Sequence, residues 1–120
     1  MARKYPITVI RNTADFAAAF EAQKEGELYC LFTGAIEEST EKCEHNIDSF
    51  LDDQENIKVL VCTCIRDEYK GHPEHAYRVN PLIKLQSIPT LIRYHDGVEK
   101  GRVVELNCNN EDMLYDLADL

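Results

Sequence analysis

The hydrophobic positions of this chain fall into short apolar runs separated by segments with helical spacing. Residues 28–32 and 57–64 are nearly continuous apolar runs, which is typical of strands buried on both faces of a sheet. Phe16 and Phe20 stand four residues apart and so share one side of a predicted helix over residues 14–24. Together these segments indicate buried strands separated by amphipathic helices.

The remaining segments extend the alternation into an α/β fold. Asn12 or Thr13 is expected to cap the first helix, because both side chains accept hydrogen bonds from free backbone N–H groups. The other predicted elements are strands at 7–10, 90–94 and 103–106, helices ending near 51–53 and 80, and a turn at 95–97. A last helix has Met113, Leu114, Leu117 and Ala118 on one face. The order β-α-β-α-β-α-β-β-α predicts one domain over residues 1–120, with a mixed sheet of about five strands and about four flanking helices.

Composition narrows the choice of partners. The chain has 120 residues, 44% of them hydrophobic, and a net charge of −9. Nucleic acids and anionic membranes bind clustered Lys and Arg, so neither is expected as a partner. The first residues lack the apolar stretch of a signal peptide, and we therefore expect a cytoplasmic protein.

The five cysteines do not suggest a disulfide scaffold or a metal site. Their number is odd and their spacing irregular, at Cys30, Cys43, Cys62, Cys64 and Cys108, so most are expected to be reduced. The pair Cys62 and Cys64, taken with His72 and His75, does not have the spacing of a zinc finger. We therefore predict neither a metal nor a cofactor.

One short stretch, residues 87–92, points to a functional site. It reads Ser-Ile-Pro-Thr-Leu-Ile and places Pro89 at the start of an apolar strand. Proline cannot donate a hydrogen bond to a sheet, so it is confined to strand starts, edges and bulges. A tight X-Pro bond of this kind is also where cis peptides occur.

This stretch resembles the substrate-lining segment of the thioredoxin fold, and a narrower resemblance covers nearly the whole chain. The run Leu31-Phe32-Thr33-Gly34, the long loop before Cys43, the strand ending at Cys64 and the residues around Pro89 are similar to the family of thioredoxin domain-containing protein 17. The resemblance implies a thioredoxin-like fold and a cytosolic disulfide reductase supplied by thioredoxin reductase. It also implies that Ile88, Pro89 and Thr90 bind the substrate.

The active-site motif departs from the family pattern. The family has Trp-Cys-Pro-Asp-Cys, whereas this chain reads Lys42-Cys43-Glu44-His45-Asn46. The resemblance therefore makes Cys43 the candidate nucleophile, with His45 beside it and Asn46 in place of the resolving cysteine. Without a second thiol, Cys43 has no partner to release a mixed disulfide within the motif.

Two functions remain open at this point. In the first, the chain is a monothiol oxidoreductase acting on protein or small-molecule disulfides or thiols, with glutathione or the thioredoxin reductase system as the reductant. In the second, it is a non-catalytic binding module that keeps the substrate groove. Cys43, Ile47, Phe50 and Leu51 also form one apolar helical stripe, on which Cys43 is a packing residue. The sequence therefore leaves open whether the chain is an enzyme.

Overall fold

A five-stranded mixed sheet lies at the centre of the computed structural model. The structure describes residues 6–34, 47, 49–64, 73–86, 88, 90–104 and 111–119, with the backbone alone at positions 34, 64 and 111. The strands are β1 (Ile7–Ile10), β2 (Glu27–Gly34), β3 (Ile57–Cys64), β4 (Thr90–His95) and β5 (Val98–Val104). Their order is β1-β3-β2-β4-β5, with β1, β3 and β2 parallel and both β4 and β5 antiparallel to their neighbours. The predicted mixed sheet is confirmed.

Four helical segments flank this sheet in the described part of the chain. They are α1 (Phe16–Gln23), α2 (helical at positions 47 and 49–52), α3 (Ala76–Val79) and α4 (Glu111–Ala118). A turn of 3-10 helix, Thr13–Asp15, precedes α1, and the Asn12 side chain accepts a hydrogen bond from the Ala14 N–H at 3.0 Å. Asn12 is therefore the cap of this segment. Among the described helices, none has the length and apolar character needed to span a membrane.

Each face of the sheet carries its own core cluster. Leu28, Cys30 and Phe32 of β2 belong to the first cluster, whereas Tyr29 and Leu31 belong to the second. Alternate side chains of a strand point to opposite faces, which explains why this run is apolar at every position. The helical members of the first cluster are Phe16, Phe20 and Tyr77, and those of the second are Ile47, Phe50, Leu51, Leu114 and Leu117. Helices therefore cover both sides of the sheet.

The fifth strand begins earlier than predicted, because a two-residue turn connects it to β4. Asp96 and Gly97 have φ of 50° and 83°, and His95 pairs directly with Val98. Two consecutive residues with positive φ form the tight turn that matches the twist of a hairpin. Pairing therefore starts at Val98 rather than at position 103. The first three residues of β5 are exposed, and the residues from Glu99 to Arg102 are not apolar, so the apolar pattern did not reveal this part of the strand.

The last helix turns its predicted apolar face towards the core. Leu114 and Leu117 are buried and Ala118 packs against the second core cluster, whereas Met113 is 37% exposed and lies at the edge of this face, where it lines a surface pocket with Leu117. Adjacent residues of a helix are roughly 100° apart around its axis, so Met113 lies beside the buried stripe. The third helix spans Ala76–Val79 and therefore ends near position 80, as predicted.

Candidate functional site

The candidate site lies at the end of the sheet where β2 and β3 finish and β4 begins. Phe32 is paired with Cys62 of β3 on one side and with Thr90 of β4 on the other. Parallel strands end at the same edge of a sheet, and an antiparallel neighbour starts there. The chain that leaves β2 towards Cys43 and the chain that arrives through Ile88 therefore meet this same edge. Ligands of open α/β sheets bind beyond the carboxyl ends of the parallel strands.

The structure describes two of the six predicted site residues. Thr90 is 1% exposed and is fixed in the sheet by its pairing with Phe32. Ile88 is partly buried and packs against the first core cluster. The remaining predicted residues, Cys43, His45, Asn46 and Pro89, lie outside the described residues. The structure therefore shows where Ile88 and Thr90 lie and which core residues pack against this part of the site.

The segment carrying Cys43 is attached to the core at both ends. It starts after Gly34, the last residue of β2, and the described chain resumes at Ile47 on α2. Ile47, Phe50 and Leu51 are each at most 2% exposed and lie in the second core cluster. Burial of such side chains stabilises a fold by about 1.5–3 kcal/mol each, so α2 is firmly held. Three of the four positions of the predicted apolar stripe are confirmed.

Aromatic packing supports the site edge from the first face of the sheet. The Phe32 ring meets the Tyr77 ring edge-on at a centroid distance of 5.1 Å, and Phe16 approaches Tyr77 at 6.0 Å. Edge-to-face rings at such distances attract one another beyond simple burial. Tyr77 is therefore a buried packing residue that holds α3 against the end of β2.

His75 has a structural role that the sequence did not indicate. Its Nδ1 accepts a hydrogen bond from the Tyr77 N–H at 3.2 Å, and this bond caps α3. Serine, threonine, aspartate and asparagine are the usual caps, so the pattern gave no signal for a histidine here. The cap fixes the position of Tyr77 beneath Phe32.

Two other cysteines near this edge are buried. Cys30 and Cys62 are free thiols, both completely inaccessible to solvent in the first core cluster. Burial raises the pKa of Cys30 well above its ordinary value, and the neighbouring Cys62 acts in the same direction. A neutral thiol inside a core is a poor nucleophile. The expectation that these two cysteines sit in buried strands is confirmed.

Comparisons with known proteins agree with this geometry. The family model for thioredoxin domain-containing protein 17-like thioredoxin domains matches residues 10–119. No match to a curated protein sequence was found.

Solved structures of thioredoxins have a similar fold. Oxidized thioredoxin O2 from Arabidopsis thaliana has a TM-score of 0.68 and 14% identity, covering 97% of this chain and 96% of that one. Thioredoxin from Trypanosoma brucei brucei has a TM-score of 0.66 and 15% identity, covering 99% and 94%. A structure from work on thiol resolution in yeast mitochondrial 1-Cys peroxiredoxin has a TM-score of 0.64 and 15% identity, covering 95% of each chain. The chain belongs to the thioredoxin domain-containing protein 17-like family, a thioredoxin-fold family with oxidoreductase-like function.

Proposed function

We propose that this protein is a monothiol thiol-disulfide oxidoreductase in which Cys43 is the nucleophile. The observation that carries the proposal is the meeting of β2, β3 and β4 at one sheet edge, through the pairs Phe32–Cys62 and Phe32–Thr90. The segment with Cys43 leaves the sheet at this edge, and the segment with Ile88 and Pro89 arrives there. A thiol and a substrate platform on these two segments would lie on the same end of the sheet.

The reaction requires a thiolate and an outside thiol. The Cys43 thiolate attacks one sulfur of a substrate disulfide, forming a mixed disulfide, and the other sulfur leaves as a thiolate that takes up a proton. A glutathione thiolate then displaces the bound sulfur and forms a disulfide with Cys43. A second glutathione displaces Cys43, so that one substrate disulfide is reduced and two glutathiones become glutathione disulfide.

The described cysteines favour an outside thiol over an internal one. Cys30 and Cys62 are completely buried in the first core cluster, and Asn46 stands where a dithiol enzyme has its resolving cysteine. The yeast structure with a similar fold comes from work on thiol resolution through glutathione and thioredoxin systems. By analogy we take glutathione as the reductant, with the thioredoxin reductase system as the other candidate, and the cytoplasm as the location.

The segment around Pro89 would bind the substrate backbone. Thr90 is held in the sheet opposite Phe32, and Ile88 is packed against the first core cluster, so both ends of the tripeptide have fixed positions. An extended substrate segment beside such a strand start can form main-chain hydrogen bonds, as in β-strand addition. Protein disulfides in extended segments are the substrates that this platform fits best.

A second candidate function is a binding module without redox activity. The observation in its favour is the burial of Ile47, Phe50 and Leu51, because the same helical stripe passes through Cys43. A thiol on that stripe would be buried in the core and unreactive. The groove beside Pro89 would then bind an extended segment without exchanging a disulfide.

The Cys43 thiol pKa distinguishes the two functions. Alkylation rates would be measured from pH 5 to 9 by peptide mass spectrometry, with Cys43→Ser as the control. A monothiol enzyme requires a pKa below about 8.5 and a mixed disulfide with glutathione that maps to Cys43. A pKa at or above that value, with no reduction of a protein disulfide that depends on Cys43, would overturn the proposal and favour the binding module.

The Asn46→Cys variant restores a second thiol to the motif and should therefore increase the activity of the protein. If Cys43 is reactive, a thiol three positions later on the same helical face should form an internal disulfide with it, visible as a loss of 2 Da (about one H2) on oxidation. The variant should also reduce insulin disulfides faster than the original chain. Failure of both changes, in a variant that folds, would contradict a reactive Cys43.

A further inference from the structure

The longest stretch of this acidic chain without an acidic residue is 75–95. The chain has 22 Asp and Glu among 120 residues, yet none falls between His75 and His95. The stretch includes α3, the turn that follows it, the predicted substrate platform and β4. This part of the chain therefore supplies no carboxylate of its own.

Exposed apolar side chains are concentrated at the start of this stretch. Val79 is 62% exposed and Leu82 is 39% exposed, and Pro81 between them is exposed as well. Lys84, also exposed, completes the group. We call these four residues the turn surface. Single exposed apolar residues are common, but three within four positions form a patch.

A network of hydrogen bonds holds the turn surface in one conformation. The Asn80 carbonyl accepts from the Ile83 and Lys84 N–H groups at 3.0 and 2.8 Å, and the Asn80 side chain accepts from the Leu82 N–H at 2.9 Å. The Tyr94 hydroxyl donates to the Leu82 carbonyl at 2.5 Å. A surface that is already ordered loses little conformational entropy on binding.

The backbone conformation of Lys84 also indicates that the turn surface is held in one conformation. Its φ of 48° lies in the left-handed region, which is uncommon for a residue with a long side chain. Local strain of this kind persists only where the surrounding contacts enforce it, and it is concentrated at functional positions. Here the strained residue is the exposed Lys84, which follows the exposed Pro81 and Leu82 in the same turn.

Two arginine side chains lie along the backbone after the turn, and Glu99 balances the charge of one of them, Arg102. The Arg102 Nη1 lies 3.5 Å from the Lys84 carbonyl oxygen, and the Arg78 Nη1 lies 3.3 Å from the Gln86 carbonyl oxygen. Glu99 pairs with Arg102 at 2.7 and 2.8 Å. The segment 75–95 itself contributes no opposing carboxylate.

We propose that the turn surface is a docking site for an acidic, leucine-containing segment of a partner protein. The apolar side chains of Val79, Pro81 and Leu82 supply the contact area, and Lys84 supplies the charge that an acidic segment complements. The chain continues from this surface to Ile88 in a few residues, so a partner docked here lies on the approach to the predicted groove. The site does not require a reactive Cys43 and stands apart from the proposed thiol chemistry.

Peptide binding to the whole protein tests this site. The probe is a fluorescein-labelled 14-residue peptide of alternating Glu and Leu, followed by fluorescence anisotropy under reducing conditions. The peptide contains no cysteine, so the result does not depend on thiol exchange. We expect saturable binding below about 1 mM, weakening with added salt, and at least about tenfold weaker binding of the matching Lys and Leu peptide.

Two pairs of variants locate the binding. Val79→Ser removes an exposed valine of the turn surface, and Val98→Ser removes a valine of similar exposure, 60%, at the hairpin. Lys84→Gln and Lys24→Gln form the corresponding charge pair. Val79→Ser and Lys84→Gln should each weaken the Glu and Leu peptide by about threefold or more, whereas Val98→Ser and Lys24→Gln should leave it unchanged.

Three results would overturn the proposal. The first is no binding of the Glu and Leu peptide at about 1 mM, and the second is equal loss of binding in the Val79→Ser and Val98→Ser variants. The third comes from sedimentation: a dimer that dissociates on Val79→Ser would assign the turn surface to a second copy of this chain. If the original chain and the Val79→Ser variant are both monomers, the result supports a different protein as the occupant.

Discussion

Cys30 and Cys62 lie on the same face of neighbouring strands, and solvent reaches neither side chain. The residue opposite Cys30 in β3 is Leu60, so Cys62 is offset from it by two residues along the strand. Both thiols occupy the first core cluster as small apolar groups, and burial raises the pKa of Cys30. Cys30 and Cys62 therefore have a structural role, which differs from the role that we propose for Cys43.

Both buried thiols should resist alkylation in the folded protein. With iodoacetamide at about pH 8, Cys30 and Cys62 should stay unmodified for as long as the fold persists, because a buried neutral thiol neither ionises nor meets the reagent. Peptide mass spectrometry with and without urea measures this directly. Modification of either cysteine at the same rate in the folded and urea-unfolded chains would contradict its burial.

The Asn12 cap should make a measurable contribution to stability. The Asn12→Ala variant loses the side-chain acceptor of the Ala14 N–H, which leaves a backbone donor without its partner. Such substitutions cost about 0.5–2 kcal/mol of unfolding free energy, measurable by urea denaturation. Asn12→Asp keeps an acceptor and is the matched control. Equal losses in the two variants would show that the cap hydrogen bond is not the cause.

The Tyr94 hydroxyl should stabilise the turn surface. Tyr94→Phe removes the hydrogen bond to the Leu82 carbonyl but keeps the ring, which meets Phe20 edge-on at 5.0 Å. We expect a loss of about 1 kcal/mol in unfolding free energy, together with faster hydrogen exchange at residues 82–85. Tyr115→Phe is the control, because its exposed hydroxyl donates to Asp53 at the surface. An unchanged exchange rate at 82–85 would contradict the role of Tyr94.

The sheet was predictable because burial on two faces leaves a simple pattern in the sequence. Residues 28–32 are apolar at every position, and all five are at most 4% exposed. The early part of β5 was not predictable in this way. It is an edge strand with exposed Glu99 and Lys100. Charged side chains on edge strands hinder pairing with other chains. The same charged residues interrupt the run of apolar residues by which a strand is predicted.

The chemistry of the site was harder to predict than its position. Ile47 and Leu51 lie in the core as their spacing indicated, and Thr90 begins β4 as expected. Reactivity of Cys43, by contrast, depends on the helix start, on nearby charges and on solvent access, none of which periodicity reports. The roles of Cys43 and Asn46 are predictions that the experiments above test, and those of His45 and Pro89 stay predictions.

The Glu27–Arg93 pair joins β2, β4 and α4 at the opposite end of the sheet. Arg93 donates from Nε and Nη2 to the Glu27 carboxylate at 2.7 and 2.8 Å, and from Nη1 to the Leu117 carbonyl at 3.2 Å. His95 Nδ1 also lies 2.7 Å from Glu27. Arg93→Met should lower the unfolding free energy by about 2–3 kcal/mol, since it leaves a half-buried carboxylate without its two-pronged partner.

The pH dependence of stability should identify the same pair. Hydrogen bonds from Arg93 lower the pKa of Glu27, against the opposing effect of burial, and His95 adds to the lowering. A carboxyl whose pKa is lower in the folded protein contributes stability above its unfolded-state pKa and loses it as the pH falls through the folded-state pKa. The stability gap between the original chain and Glu27→Gln should therefore narrow between about pH 6 and pH 3. Urea denaturation across that range measures it, with Glu21→Gln as the control, since the exposed Glu21–Lys24 pair should contribute less than about 1 kcal/mol at any pH. If the difference in unfolding free energy between the two proteins stays constant down to about pH 3, the charged form of Glu27 does not stabilise the fold and the prediction is wrong.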